Sequence, residues 1–292
     1  MKILNPMPPY NLFGLEDADY EKAKVVVLPV PYDSTTSYKA GTREGPHAIV
    51  EASRSIEYYS EELDRNIRDV GIYTLDELAP TYSSANAMSD LIEAEVRRLL
   101  EDSKLPLVLG GEHSVSIGAI RAVAKMEKEF SVLQFDAHSD YRDEYMGSKY
   151  SHACVMARAL ESSGSCYGVG IRSTDDECGR KYAKNMLYRK DMHNMSIEEI
   201  IDTIDKNTRK KIYLTIDADV LDPGQMPSVG TPEPDGLTFH ELTTILREIL
   251  KRKELLAIDF NELSPIPGMV APNYLIAKLI YLTIGYNFYT FC

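Results

Sequence analysis

Six short runs of β-branched and apolar residues alternate along the chain with longer segments of helical character, and this alternation restricts the fold more than any other feature of the sequence. The runs fall at residues 24–28, 105–109, 131–135, 166–171, 211–216 and 255–260; the helical segments fall at 46–57, 85–102, 115–128, 152–161, 197–206, 239–251 and 272–288. Strands that are apolar on successive positions need cover on both faces, so the pattern predicts a doubly wound α/β fold, a central parallel sheet between two helical layers. With no repeat, low-complexity tract or linker-like stretch, residues 1–292 read as a single domain. Thr238 with Glu241 and Ser196 with Glu199 have the spacing of a capping box, and Pro272 suits a first helical position. The apolar stretch 275–291 is interrupted by Lys278 and Asn287 and is shorter than the ~20 residues a membrane span needs, which predicts a buried terminal helix.

Charge narrows the ligands. With 32 Lys and Arg against 45 Asp and Glu, the formal net charge is −13, so no attraction to nucleic acid or acidic membranes is expected, and a cationic small molecule suits the field better. Cys154, Cys166, Cys178 and Cys292 form no C-x-x-C pair and are expected as reduced thiols. Residues 1–15 carry prolines and lack a continuous apolar core, so no signal peptide is expected and the cytoplasm follows.

In open α/β sheets ligands gather beyond the carboxyl ends of the strands. After the run 131–135 comes Asp136-Ala137-His138-Ser139-Asp140. In extended backbone, positions i, i+2 and i+4 project to one side and bring two carboxylates and an imidazole together; alone, the motif is also compatible with a solvated turn. After 211–216 comes Asp217-Ala218-Asp219, a weak signal by itself. After 105–109 comes Gly110-Gly111-Glu112-His113-Ser114, where the glycines allow a tight exit, or else a glycine turn leads into a helix capped by Ser114. Jointly, three strand exits supplying His113, Asp136, His138, Asp140, Asp217 and Asp219 point to metal. Four ionised aspartates packed together repel, and two divalent cations cancel their charge. A carboxylate-rich donor set without thiolate suits manganese better than zinc, with cobalt, nickel and zinc still compatible.

These motifs resemble the ureohydrolase family, which includes arginase and agmatinase, and are most like the agmatinase branch. The resemblance runs from Pro29-Val30-Pro31-Tyr32-Asp33 and Gly45-Pro46, through the three metal motifs, to Gly230-Thr231-Pro232-Glu233-Pro234 and Asn261-Glu262-Leu263-Ser264-Pro265. One departure is Glu112, where the family commonly has Asp. The resemblance implies an arginase-like three-layer αβα sandwich and two Mn2+ per subunit. One ion would be held by His113, Asp136, Asp140 and Asp217, the other by Asp136, His138, Asp217 and Asp219. Water made nucleophilic between the ions would attack a guanidinium carbon. It further implies that Glu262 grips the guanidinium, that His152 relays protons to the departing amine, that Asp140 orients the nucleophile, and that the subunits form trimers or hexamers. His47, His193 and His240 are left as structural or surface residues.

The substrate stays open at this level. If Asp143 or Glu144, in the loop after the D-x-H-x-D motif, faces the far end of the substrate, an ammonium is preferred over a carboxylate. Agmatine, yielding putrescine and urea, is then expected, with aminopropylagmatine, arginine or guanidinobutyrate as alternatives. Arg142 beside them would favour a carboxylate if it turned inward. Other classes fare worse. The chain has six histidines and lacks the G-N-H and G-H-x-H settings of two-metal phosphoesterases. It contains no G-x-S-x-G and no G-x-x-x-x-G-K-[ST], and Gly168-Val169-Gly170 lacks a third glycine. A metal-bearing scaffold without turnover is the remaining non-enzyme reading.

Overall fold

The computed structural model describes residues 7–289. Its strands are β1 (Val25–Val30), β2 (Tyr59–Ser60), β3 (Arg65–Asn66), β4 (Ile72–Thr74), β5 (Leu105–Gly110), β6 (Phe130–Phe135), β7 (Cys166–Ile171), β8 (Met186–Tyr188), β9 (Lys211–Asp217) and β10 (Glu254–Asn261). Eight of them form one sheet in the order β4-β1-β5-β10-β9-β6-β7-β8, and every pairing in it is parallel; β2 and β3 make a separate antiparallel hairpin. The helices are α1 (Gly45–Ser53), α2 (Ala85–Glu101), α3 (Val115–Met126), α4 (Val155–Ser163), α5 (Asp176–Lys181), α6 (Arg189–Met192), α7 (Ile197–Asn207), α8 (Phe239–Arg252) and α9 (Ala271–Tyr289).

The sheet is buried on both faces because alternate residues of each central strand feed different cores. Leu107 and Leu109 of β5, Leu133 and Phe135 of β6, and Ile212, Leu214 and Ile216 of β9 join a core that includes residues of α1, α7, α8 and α9. Val108, Val132 and Tyr213 of the same strands face the opposite way, into a core with α2, α3 and α4. That is the predicted three-layer arrangement. Both capping boxes form, at Ser196 and at Thr238. α9 begins one residue before Pro272 and is largely buried, and no helix among the described residues is long and apolar enough to cross a membrane.

Some boundaries move. The segment 46–57 is helical only to Ser53, and His152 lies in a 3-10 turn, His152–Cys154, that precedes α4. The edge strands β4 and β8 were not expected. Three residues long each, they present too few alternating positions to register as periodic. Cys154, Cys166 and Cys178 are free and buried; Cys292 lies outside the described residues.

The chain order explains where the site sits. After β5 the chain crosses to β6 and then builds outward through β7 and β8. It returns through β9 and β10 to fill the gap between β6 and β5. The carboxyl ends of β5, β10, β9 and β6 are therefore neighbours at the point where winding reverses, where a crevice opens in doubly wound sheets.

Candidate metal and active site

Four strand ends deliver the site. His113 follows β5 by three residues, Asp136 follows β6 directly, Asp217 ends β9, and Glu262 follows β10 directly. The β5 exit is tight because Glu112 N–H donates to the Tyr32 carbonyl across the sheet edge at 2.8 Å. A Cβ on Gly111 would overlap that same carbonyl oxygen. Two of the acids are aimed by left-handed backbone, with φ of 51° at Asp140 and 64° at Glu262, conformations that cost about 1–3 kcal/mol each and persist where surrounding structure enforces them.

The predicted ligand residues converge in two groups. Nδ1 of His113 lies 3.1 Å from Asp136 Oδ2, 3.1 Å from Asp140 Oδ2 and 3.3 Å from Asp217 Oδ2, yet it is buried without a hydrogen bond. Nδ1 of His138 lies 2.9 Å from Asp219 Oδ2 and 3.6 Å from Asp136 Oδ1. Asp136 belongs to both groups.

Beneath these groups the side chains of His113, Asp136, Asp217 and Asp219 are held by further hydrogen bonds. Nε2 of His113 is 2.8 Å from Thr215 Oγ1, whose hydroxyl donates to Asp259 Oδ1 at 2.5 Å. Thr215 therefore accepts from His113, placing a proton on Nε2, so that in the neutral ring it is the Nδ1 lone pair that faces the three carboxylates. Asp259 is buried and also accepts from Asn261 Nδ2 at 2.6 Å and from the Tyr213 hydroxyl. Gln134 Nε2 donates to Asp136 Oδ2 at 2.7 Å, Ala137 N–H to Asp219 Oδ1 at 3.1 Å, and Asp219 N–H to Asp217 Oδ1 at 2.8 Å.

The electrostatics of this nest call for positive charge. Burial and the neighbouring Asp136 push Asp140 up to about 6. Burial, Asp219 and Asp136 push Asp217 well above the usual carboxylate range. Burial opposes charge on His138, but the Asp219 and Asp136 carboxylates outweigh it and push the ring up to about 12. Acids that resist ionising together, around a histidine nitrogen that has oxygens on three sides and no hydrogen bond, fit a pair of divalent cations.

The nest floors a cavity of about 210 Å³. Glu262, 8% exposed, lines it; its Oε1 accepts His113 N–H at 2.7 Å, and burial raises the carboxyl to about 8. His152 lines the wall, with burial lowering its pKa and the Tyr145 ring edge-on at 6.0 Å.

Asp143 and Glu144 do not reach the cavity, contrary to expectation. Both side chains are exposed. Asp143 is drawn outward by Arg158 Nη2 at 2.7 Å and Lys149 Nζ at 3.2 Å. Of the acids that line the cavity, the sequence reading missed Asp175; Arg142 also lines it, 3.6 Å from Asp175 and over the Tyr145 ring. An acid four residues beyond the end of β7 was a strand-exit signal of the same kind as the others. Of the remaining histidines, His193 pairs with Asp235 at 2.8 Å and His47 meets the Tyr10 ring.

The profile of the Arginase family matches residues 23–284. The chain belongs to the Arginase family, the ureohydrolases. Among curated proteins it is 39% identical over 278 residues to N(1)-aminopropylagmatine ureohydrolase of Synechocystis sp., covering 91% of this chain and 90% of that one. It is 33% identical over 262 residues to agmatinase of Bacillus subtilis, covering 88% and 89%. The crystal structure of agmatine ureohydrolase of Thermoplasma volcanium superposes with a TM-score of 0.85 at 32% identity, over 93% of this chain and 92% of that one. Arginase of Bacillus subtilis shares the fold, with a TM-score of 0.76 at 22% identity over 89% of this chain and 98% of that one.

Proposed function

We propose that this ureohydrolase cleaves the guanidino group of a cationic amine of the agmatine type, releasing urea and the free amine, with two manganese ions per subunit. The observation that carries the reading is the buried His113 Nδ1, ringed by three carboxylate oxygens at 3.1–3.3 Å on the floor of a cavity that also exposes Glu262. His113, Asp136, Asp140 and Asp217 would hold one ion and Asp136, His138, Asp217 and Asp219 the other; bound there, the pair supplies the charge that makes water a nucleophile near neutral pH.

The chain's own residues do the rest. Glu262 spends Oε1 on His113 N–H and faces the cavity as a buried acid without a cation, so a guanidinium arriving there restores its ionised form and is gripped by charge-assisted hydrogen bonds. His152 stands on the wall as a neutral imidazole, able to take up the proton shed by the attacking water and hand that proton to the departing amine. Asp140 both completes the first ligand group and faces the cavity, where it orients the attacking water. Asp175, whose Oδ1 caps α5 and whose Oδ2 lies 3.6 Å from Arg142, offers the wall a carboxylate for the ammonium at the far end of the substrate and engages the Arg142 guanidinium that would otherwise suit a carboxylate; the preference for an amine over arginine rests on the relatives as well.

Between the two amines, the higher identity to the Synechocystis protein than to the Bacillus subtilis one supports aminopropylagmatine, with agmatine next. We further propose a cytoplasmic homo-oligomer of single-domain subunits, a trimer or hexamer as the family resemblance implies. The test is urea release by manganese-loaded protein from aminopropylagmatine, agmatine, arginine and guanidinobutyrate. The reading expects the two amines to give the highest kcat/KM; arginine turning over fastest contradicts it.

A further inference from the structure

The residue that departs from the family pattern, Glu112, touches none of the presumed ligand side chains and spends its carboxylate elsewhere. Oε2 accepts the backbone N–H of Ser34 at 2.7 Å and of Thr35 at 2.6 Å, and Oε1 accepts the hydroxyls of Thr35 at 2.8 Å and Ser114 at 2.5 Å. The loop after β1 is thereby fastened to the exit of β5, and Thr35 is fastened by both its backbone and its side chain.

Counting protons on Thr35 settles what it offers its other neighbour. A hydroxyl has one hydrogen and two lone pairs, and the hydrogen is committed to Glu112. Thr35 Oγ1 therefore acts only as acceptor towards His152: it takes the His152 backbone N–H at 3.0 Å, and it lies 3.3 Å from His152 Nδ1. Two acceptors do not bond, so a hydrogen bond at that contact requires the proton on Nδ1. Ser151 Oγ, 3.4 Å from the same nitrogen, accepts Ala153 N–H and keeps its hydrogen and a second lone pair, so it can face Nδ1 in either tautomer and leaves Thr35 as the neighbour that discriminates between them. Nε2 is left with a free lone pair, 3.3 Å from Ser37 Oγ, and both residues line the cavity.

We propose that Thr35, anchored by Glu112, is a positioning residue that fixes His152 in the Nδ1–H tautomer and so presents the Nε2 lone pair to the reacting groups. The inference rests on the proposed proton-carrying role of His152 and adds to it the form in which that ring is held.

The experiment compares Thr35→Val, which keeps the shape and removes the hydroxyl, with Thr35→Ser, which restores it. Two readouts are taken. In 15N-histidine spectra of magnesium-loaded protein, with the His152 signal assigned by its loss in His152→Asn, wild type and Thr35→Ser show the Nδ1–H tautomer, while Thr35→Val shows Nε2–H or a mixture. In urea release by the manganese-loaded enzyme, Thr35→Val lowers kcat about 10- to 100-fold with KM within about twofold, and Thr35→Ser recovers most of it. An Nε2–H tautomer in wild type, or a tautomer unchanged by Thr35→Val, overturns the proposal. Wild-type protein that holds the Nδ1–H tautomer and releases no urea from any guanidine would instead overturn the proposed function and leave the positioning role standing.

Discussion

Asp136 belongs to both candidate ligand groups and Asp217 lies 3.3 Å from His113 Nδ1; under the proposed function each serves both ions, so its loss should cost more than one charge. Asp217→Asn removes the charge while keeping the shape: bound metal should drop by at least one ion per chain in elemental analysis, with urea release lower by more than about 100-fold. On the cavity wall, Asp175→Asn should raise KM for agmatine about tenfold, the equivalent of ~1.4 kcal/mol of lost pairing, while Asp143→Asn stays within about twofold. Steady-state kinetics on the two variants separates an acid on the cavity wall from one held outside by Arg158 and Lys149. The contrast marks the limit of sequence reading at this scale. The proposed ligand residues were legible because each lies at, or within five residues beyond, the end of a strand whose apolar run announces it. Asp143 was misplaced because its direction depends on Arg158, fifteen positions away on another element. Thr35 was invisible because it acts through Glu112, 77 positions along the chain.

At the scale of elements, the six strands read from the sequence are the ones nearest the centre of the sheet, and their ends agree to within two residues. Burial on both faces makes such strands apolar throughout, which is a strong signal; the edge strands β4 and β8 carry no comparable demand. Gly111 illustrates a requirement of packing between elements that no local pattern states. β1 and β5 leave the sheet side by side, and a Cβ at Gly111 has nowhere to go but into the Tyr32 carbonyl. Gly111→Ala should therefore destabilise the protein by about 1–3 kcal/mol, read as a fall in Tm by calorimetry, with loss of activity as the β5 exit shifts His113. An unchanged Tm would mean that the two exits are free to separate.

The whole molecule concentrates buried acids at one end of one sheet, and this makes its stability depend on pH in a definite direction when metal is absent. Asp140 is raised to about 6 and Glu262 to about 8, Asp217 also lies above its ordinary value, and His138 is raised to about 12. For each of these the folded protein binds its proton more tightly than the unfolded chain does. Their contribution is complete below the unfolded values and is lost as pH rises through the folded ones. Asp136, lowered instead, is ionised in both states above pH 5 and does not alter the slope there. Metal-free protein should thus have a lower Tm at pH 8 than at pH 5.5, and added manganese should raise Tm more at pH 8, because cations displace these protons.

The nest between β5, β6 and β9 is proposed to hold two divalent cations, and bound metal can be counted. Protein stripped of metal, reloaded with manganese and desalted should retain two equivalents per chain by elemental analysis, falling in the His138→Ala protein. Retention of no manganese, or of an amount unaffected by that substitution, would contradict the account.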